Sequence, residues 1–104
     1  MSSTNEVEDA VAQLWQEHAG APFPAGLAGA ERAGIDLVLL DADIAGCVSS
    51  RQNSGGFLDA GRRRILDART AELERILPLL GAADGAPYWQ RLYRLARLVA
   101  DAGE

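Results

Sequence analysis

Apolar residues recur every three or four positions through most of this chain, a spacing typical of helices that bury one face. The pattern predicts a first helix over residues 5–18, a central helix over residues 35–51, a third over residues 59–80 and a last over residues 87–101. Short connections between such helices place them antiparallel. The fold class predicted is therefore all-α, a small up-down bundle of about four helices.

Residues of known capping preference mark where these helices begin and end. Asn5 followed by Glu8 forms the pattern of a capping box, and Asp59 precedes the third helix as its N-cap. Pro78 lies inside the third apolar pattern, so we expect that helix to kink or stop near residue 77. Pro87 is tolerated in the first turn of the last helix.

The longest connection, residues 19–34, is rich in glycine and proline at its start, which forbids one continuous helix there. Phe23 and Leu27 are the side chains expected to anchor it to the core. The sequence is compatible with a short helical turn over residues 28–33 but does not specify the conformation of residues 19–34. The length of 104 residues predicts a single domain over residues 1–104, with residues 1–4 disordered.

The central stretch, residues 35–48, is the densest aliphatic run in the chain and contains the sequence Asp41-Ala42-Asp43. Read as a buried strand, it resembles the phosphoacceptor strand of response-regulator receiver domains and the Asp-x-Asp of haloacid-dehalogenase-type phosphotransferases. That resemblance implies an aspartate nucleophile with neighbouring carboxylates holding Mg²⁺. However, a doubly wound sheet needs further apolar strands, and a receiver needs a lysine. This chain has neither, so the helix is the preferred interpretation.

As a helix, the central stretch is apolar on more than one side. One face carries residues at steps of three and four, namely Leu37, Leu40, Ile44, Cys47, Val48 and Arg51. Val38 and Leu39 fall on other faces. A helix of this kind is buried on several sides, or is buried on one side and docked to a second molecule on another.

Two arginines fall on the apolar face of the predicted third helix, Arg62 and Arg69. A guanidinium in a dry core is costly unless a carboxylate pairs with it. We expect Arg69 either to reach the edge of the core or to pair with an aspartate of the central helix. The residues predicted to form a buried polar network, or alternatively an anion or small-molecule pocket between the second and third helices, are Asp36, Asp41, Asp43, Arg62 and Arg69.

Aromatic and aliphatic residues at helix edges are candidates for a protein interface. Trp89 and Tyr93 fall toward the edge of the last helix, and an exposed aromatic edge marks a contact surface. Together with Val38 and Leu39 they form the predicted interface set. Core or rim packing of the two aromatic residues is the other interpretation, and the favoured one.

Composition narrows the classes of function. The net charge of −5 argues against nucleic acid or an anionic membrane as the main partner, and no apolar run is long enough to span a membrane. His18 is the only histidine and Cys47 the only cysteine, so we expect no metal site and no cofactor. A single thiol fits a reducing cytoplasm, and Cys47 is most simply a small core residue.

Charge is unevenly distributed between the two halves of the chain. Residues 1–50 carry eight carboxylates and one arginine, a net charge of −7, whereas residues 51–104 carry seven carboxylates and nine arginines, a net charge of +2. Two such halves can pair within one chain or between two copies. We favour pairing within the chain.

The run Asp-Leu-Val-Leu-Leu-Asp-Ala-Asp-Ile-Ala-Gly-Cys-Val, followed by Gly-Gly-x-Leu-Asp and then Leu-Glu-Arg-Ile-Leu-Pro, resembles small all-α proteins of unknown function common in high-GC actinobacteria. The resemblance covers residues 30–100 and implies no activity, substrate or catalytic residue. The sequence thus predicts a non-enzymatic helical interaction or regulatory module, a homodimer or the binder of a protein partner.

Overall fold

A computed structural model describes residues 3–102, with side chains described from residue 6 onward. It contains four α-helices and one two-stranded antiparallel sheet. The helices are α1 (Ser3–Gly20), α2 (Leu37–Asn53), α3 (Ala60–Ile76) and α4 (Ala86–Ala102), and the strands are β1 (Glu31–Arg32) and β2 (Ile35–Asp36). The four predicted helices are confirmed. None of the described helices is long and apolar enough to cross a membrane.

Successive helices run antiparallel, as contacts near their ends show. Arg51 at the end of α2 binds Glu8 near the start of α1, whereas Asp41 near the start of α2 meets His18 at the end of α1. Arg69 of α3 binds Asp43 of α2, and α4 packs closely against both α1 and α3. The result is an up-down bundle.

The core lies between all four helices and consists of aliphatic residues around one large aromatic side chain, Trp89, which is fully buried. The apolar face predicted for α2 is buried as a whole. The other fully buried large side chains are Leu37, Leu40, Ile44, Leu66, Leu73, Ile76, Leu92, Leu95, Val11, Val48 and Val99.

Capping explains the boundaries of α2 and α3. The Asp36 carboxylate accepts a hydrogen bond from the Leu39 backbone N–H at 3.0 Å, and the Asp59 carboxylate accepts one from the Arg62 backbone N–H at 2.8 Å. After Ile76 the chain tightens into a 3₁₀ turn (Leu77–Leu79) that contains Pro78, which confirms the predicted stop. Asn5 does not begin α1, because the helix already includes Ser3.

The connection between α1 and α2 contains a hairpin that the sequence does not predict. Residues 28–33 do not form a helical turn. Instead β1 and β2 form a hairpin in which Arg32 pairs with Ile35 across a two-residue turn. Both turn residues, Ala33 and Gly34, have positive φ, as a turn of this type requires. Leu27 is buried as predicted, and Phe23 packs against the core.

Candidate functional site

A buried polar cluster, which no local sequence pattern predicts, joins three helices near one end of the bundle. His18 Nε2 lies 2.8 Å from Asp41 Oδ1, and the Tyr88 hydroxyl donates to Asp41 Oδ2 at 2.7 Å. Each residue comes from a different helix: α1, α2 and α4. We call these three residues the His18–Asp41–Tyr88 cluster.

Aromatic side chains enclose this cluster. The rings of Phe23 and Trp89 meet Tyr88 edge to face, with centroids 5.9 Å and 5.2 Å away. Burial, reinforced by the Asp41 carboxylate, raises the pKa of Tyr88 well above its usual value, so its hydroxyl stays protonated and donates. His18 Nδ1 is buried without a hydrogen-bond partner. The cluster is enclosed rather than open to solvent, and it fixes the relative positions of three helices.

The five residues predicted to form one polar network are divided among separate contacts, so the network as a whole is not formed. Asp36 caps α2, and Asp41 belongs to the cluster just described. The expected pairing of Arg69 with an aspartate of α2 is present: Arg69 Nε donates to Asp43 at 2.8 Å, and its Nη1 donates to Glu72 at 2.7 Å. These carboxylates raise the pKa of Arg69, Glu72 having the larger effect.

Arg62 is exposed, contrary to its predicted place at the centre of an apolar face. Its side chain is 52% exposed and donates to Asp59 Oδ2 at 2.6 Å. The reason is the position of Arg62 along the helix. Arg62 lies in the first turn of α3, whereas the buried residues of this helix, such as Leu66 and Leu73, come later in it. Both arginines considered for an anion pocket are therefore already paired with carboxylates.

An ion pair between α1 and α2 is a further contact that the sequence does not predict. Arg51 is only 4% exposed, and its guanidinium donates two hydrogen bonds to the Glu8 carboxylate, at 2.9 Å and 2.6 Å. Arg51 holds the pKa of Glu8 below its usual value through these hydrogen bonds. The signal was present in the sequence, since Arg51 falls on the apolar face of α2, but nothing local identified Glu8 as its partner.

The predicted interface residues divide into two groups. Val38 and Leu39 lie on the surface, Leu39 with 53% of its side chain exposed. Trp89 is fully buried, and its indole N–H donates to the Asp84 carbonyl at 3.0 Å, so its assignment to an exposed edge is wrong. The 3₁₀ turn Ala82–Asp84 supplies that carbonyl, which helical periodicity alone cannot reveal. Tyr93 is half-buried against the core.

The outer sides of α2 and α3 carry several small and apolar residues among charged ones. Leu39, Ala42 and Gly46 follow one another at steps of three and four on the exposed side of α2. Ile65, 46% exposed, lies on α3 one turn before Arg69, which binds Asp43 of α2, and Ala68 is exposed on the outer side of α3. We call the five residues Leu39, Ala42, Gly46, Ile65 and Ala68 the α2–α3 surface.

Grooves, clustered carboxylates and the thiol are the other features that bear on ligand binding or reactivity. A groove of about 320 Å³ lies between α1 and α4, and its lining residues are Ala10, Gln13, Leu14, Glu17, Arg94 and Leu98. Among the described side chains, no three His, Cys, Asp or Glu groups are placed to hold a metal ion. Cys47 is buried, and burial raises the pKa of its thiol.

The strand that a phosphotransferase site would need is absent from this stretch, because residues 37–53 are helical. On the helix, Asp41 and Asp43 project in different directions: Asp41 meets α1 and α4, whereas Asp43 meets α3. The two carboxylates are therefore not arranged as neighbouring ligands of one Mg²⁺.

Comparison of the chain with protein-family models, with curated proteins and with solved structures finds no match.

Proposed function

We propose that this protein is a non-enzymatic helical interaction module of the cytoplasm that self-associates through the α2–α3 surface. The observation that supports it is the exposure of Leu39 and Ile65 on neighbouring helices whose inner faces already fill the core. Scattered exposed leucines are ordinary, whereas exposed apolar residues on the outer sides of two packed helices can belong to one contact surface.

The character of α2 supports the same proposal. Its inner face, from Leu37 to Arg51, is buried in the monomer, and its outer face carries Leu39, Ala42 and Gly46 instead of charged residues. A helix that is apolar all round is one that is buried on all sides. In a single copy only the inner side of α2 is covered, which supports the proposal that a second molecule covers the outer side.

A second copy is the partner we assign to this surface. Burying the exposed part of one leucine or isoleucine contributes about 1 kcal/mol. In a symmetric dimer the same side chain is buried in both copies, so each residue contributes this amount two times. Association also costs several kcal/mol in lost translational and rotational freedom. We therefore expect a weak dimer that forms only at high protein concentration, not an obligate one.

Leu39→Gln tests this proposal, because it removes the most exposed apolar side chain of α2 without touching the core. We expect multi-angle light scattering or sedimentation to show a concentration-dependent dimer for the unaltered protein, and dissociation at least tenfold easier for Leu39→Gln. Leu79→Gln is the matched control, since Leu79 is equally exposed, at 54%, but lies in the 3₁₀ turn after α3.

The result that overturns the proposal is a monomer at every concentration up to several hundred micromolar. Equal weakening by Leu39→Gln and Leu79→Gln would also contradict it, because the contact would then not be specific to the α2–α3 surface.

A further inference from the structure

The groove between α1 and α4 is lined by apolar residues and by two side chains of opposite charge. Its volume is about 320 Å³, and both Glu17 of α1 and Arg94 of α4 line it. Leu14, which is buried, and Leu98, which is half-buried, supply apolar lining. Neither helix contributes a residue to the α2–α3 surface, so the groove is separate from the proposed self-association.

The two charges of the groove are not paired with each other. The Glu17 carboxylate accepts a hydrogen bond from the neutral amide of Gln13 at 3.3 Å. Among the ion pairs formed by side chains from residue 6 to residue 102, none includes Glu17 or Arg94. The groove therefore presents one carboxylate and one guanidinium that a ligand can bind.

The two arginines nearest to Arg94 along α4 have other partners. The Arg91 guanidinium lies over the ring of Tyr88, 5.7 Å from the ring centroid. Arg97 Nη2 lies 3.5 Å from Asp101 Oδ1. Arg94 is therefore the guanidinium that a ligand in the groove meets.

The antiparallel packing of α1 and α4 sets the distance between the two charges. The rings of His18 and Tyr88 lie side by side, with centroids 4.7 Å apart, and fix the level of α1 against α4. From this level Glu17 is one residue back along α1, and Arg94 is six residues on along α4, in the same direction. At about 1.5 Å per residue, their backbones are about 7.5 Å apart along the helix axes. This separation leaves room for a small ligand between the ends of the two side chains.

We infer that the α1–α4 groove binds a small zwitterion with an apolar side chain, namely an aliphatic α-amino acid. Arg94 binds its carboxylate, and Glu17 binds its ammonium group. Leu14 and Leu98 contact its aliphatic side chain. The volume of the groove lies at the lower end of the range for small-molecule sites, in agreement with a ligand of this size.

Ligands of other charge fit this groove less well. Glu17 repels an anion, and Arg94 repels a cation. A neutral apolar molecule covers both charged groups without pairing either of them. An aliphatic zwitterion pairs both at the same time. Because the two charged side chains are exposed, water competes for these contacts, and we expect a dissociation constant in the millimolar range.

Four related ligands test the inference by NMR titration of the unaltered protein, followed through its backbone amide resonances. L-leucine has all three features, isocaproate lacks the ammonium group, isopentylamine lacks the carboxylate, and free glycine lacks the aliphatic side chain. We expect leucine to shift the resonances of the groove residues in a saturable way. Each of the other three ligands should bind at least about fivefold more weakly.

Two variants assign each charge of the ligand to its partner. Arg94→Gln should weaken the binding of leucine about fivefold but not that of isopentylamine, which has no carboxylate. Glu17→Gln should weaken the binding of leucine by a similar factor but not that of isocaproate, which has no ammonium group. Arg97→Gln on α4 and Glu6→Gln on α1 are the matched controls, because they remove the same charges outside the groove.

Absence of a saturable shift with leucine up to about 50 mM overturns the inference. Equal affinities for leucine and isocaproate overturn it as well, since the ammonium group is then not recognised, and equal affinities for leucine and free glycine exclude the aliphatic contact. Equal weakening by Arg94→Gln and Arg97→Gln also overturns it, because the effect then comes from overall charge. Light scattering tests the proposed self-association separately, so failure of one proposal is distinguishable from failure of the other.

Discussion

At the residue scale, the most informative side chain is Asp41, because it accepts hydrogen bonds from two helices at once. His18 and Tyr88 occupy its two carboxylate oxygens. A buried carboxylate without such partners is costly, so the three residues depend on one another. A cluster of this kind fixes the relative position of α1, α2 and α4 more strictly than apolar contacts do, because hydrogen bonds require defined distances and angles.

Tyr88→Phe isolates the hydroxyl of this cluster. The variant keeps the ring and its contacts with Phe23 and Trp89 but removes the donor to Asp41. We expect the free energy of unfolding to fall by about 1–2 kcal/mol, since a buried acceptor loses a partner. Urea denaturation measures it. Tyr93→Phe, on the same helix but outside the cluster, is the control, and an equal loss in both variants contradicts the role assigned to Asp41.

The Glu8–Arg51 pair is the second residue-scale feature, and Glu8→Gln tests it. The change leaves a nearly buried guanidinium without its counterion. Because Glu8 itself is 40% exposed, solvent weakens the interaction. We expect the free energy of unfolding to fall by about 1–2 kcal/mol at pH 7. Glu17→Gln on the same helix is the control: the Glu17 carboxylate accepts an exposed hydrogen bond from Gln13, so the free energy of unfolding should change little.

The same pair predicts a dependence on pH. The pKa of Glu8 is lower in the folded protein than in the unfolded chain, where it is about 4.3. Its stabilisation is therefore complete above the unfolded pKa and disappears as the pH falls through the folded pKa. The stability difference between the unaltered protein and Glu8→Gln should shrink steadily below about pH 4.3. A difference that stays constant down to about pH 2.5 would show that the ion pair is not its cause.

At the scale of the element, α2 combines a covered and an uncovered side. Its inner side is part of the core, and its cap at Asp36 and its last turn at Arg51 are each held by a specific contact. Its outer side has no such contacts in the monomer. The stability of the helix and the accessibility of its outer side are therefore separate properties, and substitutions on the outer side can change one without the other.

Gly46→Ala makes use of this separation. Gly46 is inside α2, and an added methyl group meets nothing within 4 Å. Alanine favours a helix over glycine by about 1 kcal/mol, so we expect the monomer to be more stable by about that amount. Ala42→Gly, on the same side of α2, should lower the stability of the monomer by a comparable amount. Denaturation at low protein concentration measures both, and a destabilised Gly46→Ala would show that this side is not open.

At the scale of the whole molecule, the unequal charges of the two halves meet within one chain. Glu8 and Asp43 of the acidic half bind Arg51 and Arg69 of the basic half. Arg32, the single arginine of the acidic half, binds Asp84 of the basic half. These pairs connect segments that are far apart in sequence, so pairing between the halves contributes to the fold of a single copy.

The sequence by itself determined the helices and the core. Spacing of apolar residues located α1 to α4, Pro78 marked the end of α3, and Asp59 was identified as its cap, because each of these effects acts within one or two turns of the chain. The burial of Leu37, Ile44 and Val48 followed from the same spacing. The hairpin with its turn at residues 33–34 was missed because that turn lacks the usual Asn-Gly signal.

Only the tertiary structure decided which polar groups meet. Glu8 and Arg51 are 43 residues apart, and Asp41 and Tyr88 are 47 apart, so no local pattern links them. The predicted network residues separated into different contacts because helix rotation and axial position, which depend on packing, select the partner of each side chain. The same packing buried Trp89 and left one apolar side of α2 exposed. Hydrophobic periodicity specifies which side of a helix is apolar, but the arrangement of all four helices determines which apolar residues remain uncovered.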